Sequence, residues 1–258
     1  MRIDLNAFVG DYPFRRLADA SAAGLLKAMD RTGIDEAWVS YLPSLFWRDP
    51  GEGNPLLYQI AAEHRRLRPV PAVHPELPAW RDVLREAVDR GVPAVRCDPC
   101  FYGIHPAGRE VQQLLDECGR NRLPLLMTAR LEDGRQRHPN DRADPLEPWA
   151  IRSLIRGSPG GRLIVTHADR EYVEQVHFGS TPEEARRILW DICWIWGPPE
   201  DHLATLLGTV GLERFAFGTG APLRLPEASV CKLDLLDLTG PQREQIESRN
   251  LRAFSTID

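Results

Sequence analysis

Short β-rich runs alternate with amphipathic helical stretches along the whole chain, and this alternation constrains the fold more than any single motif. A strand–helix–strand repeat satisfies its backbone hydrogen bonds and buries its apolar faces as a parallel sheet covered by helices. Eight β-rich runs are read: Arg2 to Phe8, Glu36 to Leu42, Val70 to His74, Ala94 to Asp98, Leu123 to Arg130, Arg162 to His167, Ile188 to Ile195, and Phe215 to Thr219. Helical patterns fill the gaps at Ala18 to Thr32, Pro55 to Leu67, Trp80 to Arg90, Glu110 to Asn121, Pro145 to Ile155, Glu171 to Phe178, and Glu200 to Val210. Two more follow the last strand, Val230 to Leu238 and Gln242 to Phe254. Leu25, Leu26 and Met29, then Leu114, Leu115 and Cys118, recur at the spacing that gives a helix one apolar face. Gly33, Gly91 and Gly211 stand where helices are expected to stop.

Eight parallel strands can close on themselves and so remove the exposed edges of an open sheet. The chain of 258 residues suits such a closed (β/α)8 TIM barrel as one α/β domain spanning 1–258, with two smaller domains as the alternative. An open doubly wound sheet is the competing architecture. It would carry a Gly-x-Gly-x-x-Gly turn after its first strand, whereas this chain continues Val9, Gly10, Asp11, Tyr12, Pro13. No solenoid-type repeat or low-complexity linker divides the chain, and its longest irregular stretches, 43–54 and 132–144, have the length of functional loops.

A formal charge of -5 repels a phosphate backbone, and no basic run overrides it, so nucleic acid is not an expected partner. Among the basic residues only Lys27 and Lys232 are lysine, which reads as a compositional habit or as a preference for bidentate anion binding. No signal-peptide pattern opens the sequence, no apolar stretch reaches membrane-spanning length, and the five cysteines form no disulfide framework; a cytoplasmic location is expected. Cys97 and Cys100 have metal or redox spacing, but no second pair joins them.

In a barrel the chemistry belongs at the C-terminal strand ends, and inward-outward alternation narrows the candidates. This parity groups Asp4, Asn6 and Phe8 on the first strand, Arg96 and Asp98 on the fourth, and Thr128, Arg130 and Glu132 on the fifth. His167 ends the sixth strand and Thr219 with Gly220 the eighth. Arg96 and Arg130 suit a carboxylate or an oxyanion held by paired hydrogen bonds, unless each is locked against Asp98 or Glu132. His167 suits proton transfer, because an unperturbed imidazole titrates near neutrality. Tyr102, His105 and Arg135 lie in loops that could cap the pocket and contact substrate, with Arg137, His138 and Arg142 nearby; plain solvated loops are the alternative. Trp190, Trp194 and Trp196 read as packing residues before a stacking platform.

The stretch Ile3-Asp4-Leu5-Asn6-Ala7-Phe8-Val9-Gly10, then Val165-Thr166-His167, then Arg214-Phe215-Ala216-Phe217-Gly218-Thr219-Gly220-Ala221-Pro222, and finally Ile246 to Phe254 with Asn250, resembles the amidohydrolase-related family. That resemblance implies a TIM barrel of the metal-dependent hydrolase and decarboxylase type. The family's first-strand H-x-H falls on Asn6-Ala7-Phe8, its fifth-strand histidine on Thr128, and its eighth-strand aspartate on Gly220. Only His167 keeps the family residue. Phenylalanine and glycine side chains supply no metal ligand, so no catalytic metal or other cofactor is expected unless His167 joins Asp98, Glu132 or His74 in a different site.

Two functions follow. One is a metal-independent hydrolase of lactonase type, or a lyase of decarboxylase type, acting on a small carboxylate or lactone; Arg96 and Arg130 clamp the anion, His167 moves a proton, Asp98 or Glu132 assists, and Asn6 and Thr128 contact substrate. The other is a barrel without catalysis that binds a small acid or a protein subunit. A homo-oligomer is expected only from the frequency of closed assemblies.

Overall fold

The computed structural model describes residues 1–135 and 137–255; the expected single unit 1–258 thus ends in three residues outside the described ones. Eight strands run in chain order: β1 (Ile3–Val9), β2 (Glu36–Tyr41), β3 (Leu67–Pro69), β4 (Val95–Arg96), β5 (Leu125–Thr128), β6 (Leu163–Thr166), β7 (Ile188–Asp191) and β8 (Phe215–Ala216). β1, β2 and β3 form one parallel ladder, and β4 to β8 a second. Backbone bonds join the two. Leu5 N–H donates to Phe217 O at 3.0 Å and Gly220 N–H to Asn6 O at 2.8 Å, closing β8 on β1. Ala72 pairs with Arg96 across the other seam, where Arg96 N–H donates to Pro71 O at 2.8 Å. The expected barrel is therefore the observed architecture.

Its layers follow from strand parity. Leu5, Trp38, Val70, Ala94, Leu126, Ile164, Leu189 and Ala216, one from each strand or its immediate extension, fill the barrel interior. The opposite faces, among them Val39, Val95, Met127, Val165, Trp190 and Phe217, pack against the helical ring. Helices 22–32 and 109–120 present the expected apolar faces, with Leu25 and Met29 buried on the first and Leu114, Leu115 and Cys118 on the second. Gly33 ends helix 22–32 at φ 64°, a left-handed conformation that costs a residue with a Cβ, and its N–H caps Met29 O.

Three sequence expectations change. The third strand begins at Leu67, where a helix had been expected to reach, because helix 54–63 stops at His64. The irregular stretch 43–54 is largely two 3-10 turns, Leu42–Phe46 and Pro50–Gly53. The third change moves the site. β1 shifts register against β2 between Asp4 and Ala7, so Ile3 and Leu5 face the interior below the irregularity while Asn6 and Phe8 face it above. Asp4, expected beside Asn6, instead reaches toward β8, where it accepts hydrogen bonds from Thr219 N at 3.0 Å and Thr219 Oγ1 at 2.5 Å.

Candidate functional site

Above the apolar layer, the strand ends contribute a continuous polar layer with Arg96 at its centre. Arg96 is 1% exposed. Its Nε donates to Ser40 Oγ at 2.9 Å, Nη1 to Thr128 Oγ1 at 2.6 Å and Nη2 to Asn6 Oδ1 at 3.0 Å, with Asp98 Oδ2 at 3.5 Å from Nη1. The Phe8 ring lies 4.6 Å from the guanidinium carbon. Arg96 is thus a buried strut: three of its nitrogens are already committed to the protein. The sequence alternative of an ion pair with Asp98 describes it better than an anion clamp.

Asn6 passes this arrangement to His167. Arginine can only donate, so Asn6 Oδ1 must face Arg96 and its amide nitrogen must face the other way. There Nδ2 lies 2.9 Å from Asp191 Oδ2 and 3.2 Å from His167 Nδ1. Nδ1 therefore accepts, and Nε2 carries the proton. That Nε2 is buried and has no hydrogen-bond partner among the described residues. His167 sits just past β6 at φ 57°, a strained conformation for a residue with a side chain. Asp191 Oδ1 holds its backbone N–H at 2.9 Å.

Burial depresses the His167 pKa far below the usual imidazole value of 6.5, and Arg224, Arg96 and Arg130 push in the same direction. The ring is neutral at physiological pH. Titration near neutrality, the basis for expecting a proton shuttle, does not hold, and what remains is an oriented N–H donor.

The mouth above this layer is closed on one side and hollow on the other. Phe8, Tyr12, Leu17, Leu42, Leu45 and Leu223 form an apolar cap, and Phe14, Phe46 and Phe101 pack against it. Toward the β7 and β8 ends lies a cavity of about 660 Å³ whose lining includes Arg15, Glu132, Cys193, Trp194, Arg224 and Lys232. Another hollow of about 670 Å³ follows the loop Asp11–Ser21 and is lined by that segment alone. Trp194 lines the first cavity and packs beside His167. Its ring is 5.8 Å from the His167 ring, and the Arg224 guanidinium stacks on it with the carbon 3.4 Å from the ring centroid. Phe8 flanks His167 at 6.4 Å.

The other sequence candidates divide between these regions. Arg130 pairs with Asp169 at 2.7 Å, not with Glu132, and its Nε has no hydrogen-bond partner among the described residues. Glu132 pairs with Arg15 at 2.7 Å on the cavity wall. Thr128 serves Arg96, and Asp98 Oδ1 holds the Thr128 N–H at 2.8 Å. Tyr102 stacks on His74 at 4.9 Å, and burial beside Asp98 raises its phenol pKa well above 10. Arg135 and His105 are not brought to the cavity: Arg135 pairs with Asp133 in its own exposed loop, and His105 is exposed beside Trp149. Of the tryptophans, Trp190 is core, Trp194 borders the site and Trp196 stands at the cavity rim. Arg224 and Lys232 were missed because they follow β8, in a loop and a helix where strand parity assigns no direction; the rarity of lysine was the one available signal for Lys232.

No protein-family model and no curated protein sequence matches the chain. Solved structures do match it over nearly their full length. They include a 5-carboxyvanillate decarboxylase from Sphingomonas paucimobilis (14% identity, TM-score 0.76, covering 100% of this chain and 99% of that one). A dihydroxybenzoic acid decarboxylase from Polaromonas, with bound manganese and 2-nitroresorcinol, matches at 13% identity and TM-score 0.75, covering 99% and 96%. A probable 2-pyrone-4,6-dicarboxylic acid hydrolase from Acinetobacter baumannii, with citric acid bound, matches at 11% identity and TM-score 0.68, covering 99% of each chain. The chain shares the fold of these two decarboxylases and of the hydrolase.

The manganese bound in the Polaromonas structure raises the question of a divalent cation here. Phe8 and Gly220 offer no ligand, and Asn6 and Thr128 are spent on Arg96. His167, Asp191 and Cys193 do bring possible ligand atoms within 4.8 Å of one another. Each is already committed in another way. Asp191 accepts from His167 N, from Asn6 and from the Cys193 thiol, whose pKa burial raises well above 9. The protonated Nε2 of His167 has no lone pair to give. As they are bonded here, these residues do not fit a metal.

Proposed function

We propose that this amidohydrolase-type barrel binds a small carboxylate in the cavity at the β7 and β8 ends and acts on it, by hydrolysis of a lactone or by decarboxylation, without a metal. The observation that carries the reading is the clustering of unsatisfied buried polar atoms at one place. His167 Nε2 and the Nε atoms of Arg130 and Arg224 lack hydrogen-bond partners among the described residues, and all three border Trp194. An unmet buried donor costs about 1–3 kcal/mol, so three donors around one aromatic ring favour an anionic or carbonyl ligand that accepts from them. The cavity volume falls within the roughly 300–1,000 Å³ typical of small-molecule sites.

In this reading Arg224 and Arg130 hold the carboxylate, and Trp194 shifts to let the ligand reach His167. The neutral Nε2–H then donates to the carbonyl oxygen, where negative charge grows during attack or carbon–carbon cleavage. Arg96 acts indirectly, by fixing Asn6 and so the His167 tautomer.

Thermal-shift measurement against small carboxylates and lactones tests the binding step. Saturation at about 100 times Kd should add about 2.7 kcal/mol of stability, and Arg224→Ala should remove the gain while Arg135→Ala, on the exposed loop, keeps it. Equal gains in both variants would refute the assignment. His167→Ala should keep binding and lose turnover. A second reading, binding without catalysis, is favoured by one observation: His167 is 0% exposed beneath Trp194 and Phe8. It gains if the wild-type protein binds acids but converts none.

A further inference from the structure

The cavity holds a nucleophile that the reading above does not use. Lys232 lines it from helix Pro226–Leu235, and its Nζ lies 3.0 Å from Ile192 O and 2.8 Å from Cys193 O, at the end of β7. No carboxylate pairs with Nζ among the described salt bridges. A neutral amine has two hydrogens, and two carbonyls take both. The lone pair is left in the remaining tetrahedral direction, with no hydrogen bond to hold it. As an ammonium the same nitrogen would direct a third, unmatched N–H there. Burial accordingly lowers the Lys232 pKa from 10.5, and Arg224 lowers it further, although Cys193 and Asp191 act in the opposite sense. The chain uses arginine almost everywhere else: Lys27, the other lysine, is exposed on helix 22–32. Arginine cannot lose its proton in a protein, whereas a desolvated lysine can, and a lysine beside a second cation is a recognised form of activated amine.

We infer that Lys232 is a covalent site for a small oxo acid, forming an imine with the ligand carbonyl while Arg224 takes the carboxylate. The inference rests on the reading of this cavity as a carboxylate site. The amine lone pair adds to the carbonyl carbon and forms the carbon–nitrogen bond. The carbonyl oxygen takes one proton from the amine nitrogen and one from solvent and departs as water, leaving a protonated imine with one N–H. Where the carboxylate sits β to that carbon, its carbon–carbon bond breaks, the electron pair moves into the imine to give an enamine, and carbon dioxide leaves. Protonation at carbon and addition of water then return the ketone and free lysine.

Two lysines give the test an internal control. Full-length protein is incubated with acetoacetate, pyruvate or glyoxylate, reduced with sodium borohydride, digested and mapped by mass spectrometry. Reductive labelling of Lys232 should exceed that of Lys27 severalfold at neutral pH, because a buried amine that two carbonyls hold carries more of its free form and Arg224 brings the acid to it. The excess should fall as pH is lowered and vanish in Lys232→Arg, whose folding is checked by its thermal transition. Labelling at Lys232 no faster than at Lys27 with all three acids overturns the inference. If reversible acid binding to Arg224 persists in that case, the covalent step alone has failed; loss of both removes the cavity as the site.

Discussion

Replacing Arg96 by methionine deletes the guanidinium that holds Asn6, Ser40 and Thr128 and leaves Asp98 buried without its cation. Breaking a buried pair from one side costs about 3–5 kcal/mol, and a loss of that size in a denaturant midpoint series is expected. The same variant should release Asn6 and show a mixed His167 tautomer by nitrogen NMR, a change that a packing defect elsewhere would not produce. Asp4 makes a pH prediction. Burial raises its pKa from 3.8 to about 6, despite hydrogen bonds from Thr219 and Asn6. Between these values the folded state holds a proton that the unfolded state has lost, so the Asp4 contribution is fully present below about 4 and declines through about 6. The total is about 3 kcal/mol at 1.36 kcal/mol per unit. His167 works in the opposite sense below 6.5, so the readout is the wild-type stability curve minus that of Asp4→Asn, which should fall over this window; a flat difference contradicts the shift. Parity for Asn6, Arg96 and Thr128, and the strand-end position for His167, pointed to the one layer in which hydrogen bonds join them. It misplaced Asp4, because a register shift in β1 reverses the alternation and leaves no mark in a run as short as Asp4-Leu5-Asn6.

At the element scale, the turn after β8 depends on Gly220. It adopts φ 69°, and a Cβ there would lie 2.8 Å from His167 Nε2. Gly220→Ala should cost about 1–2 kcal/mol from backbone strain and should also block the unmatched donor, abolishing turnover while ligand-induced stabilisation persists. Retained turnover would mean that Nε2 does not face the reacting carbonyl. The C-terminal motif that carried much of the family resemblance proves structural: Asn250 Nδ2 donates to Leu212 O and Phe215 O, both at 2.8 Å, and staples the last helix to β8. Element positions were largely legible, since buried parallel strands are compact apolar runs. The ends were less so: β4 and β8 are two residues each, and the site residues just beyond them, Asp98 and Thr219, belong to turns fixed by tertiary hydrogen bonds.

For the molecule as a whole, the alternation of strands and helices was sufficient to indicate a closed barrel, and two hydrogen-bonded seams close it. The side of the mouth that stays open could not be read from that alternation. Loop aromatics seal the β1 and β2 side, while Trp194, Arg224 and Lys232 build the hollow at β7 and β8, and nothing periodic relates those positions. Among the described residues no helix is long and apolar enough to cross a membrane. In this barrel a buried guanidinium is bonded to Asn6 and Thr128, the side chains that the family resemblance aligns with two metal ligands, and the proposal of a metal-free site follows from that and from His167 as an N–H donor. Elemental analysis of protein purified after exposure to zinc and manganese, then dialysed without chelator, tests this most directly. Only sub-stoichiometric metal is expected, the same in wild type and His167→Ala; one equivalent retained by the wild type and lost with His167 would contradict it.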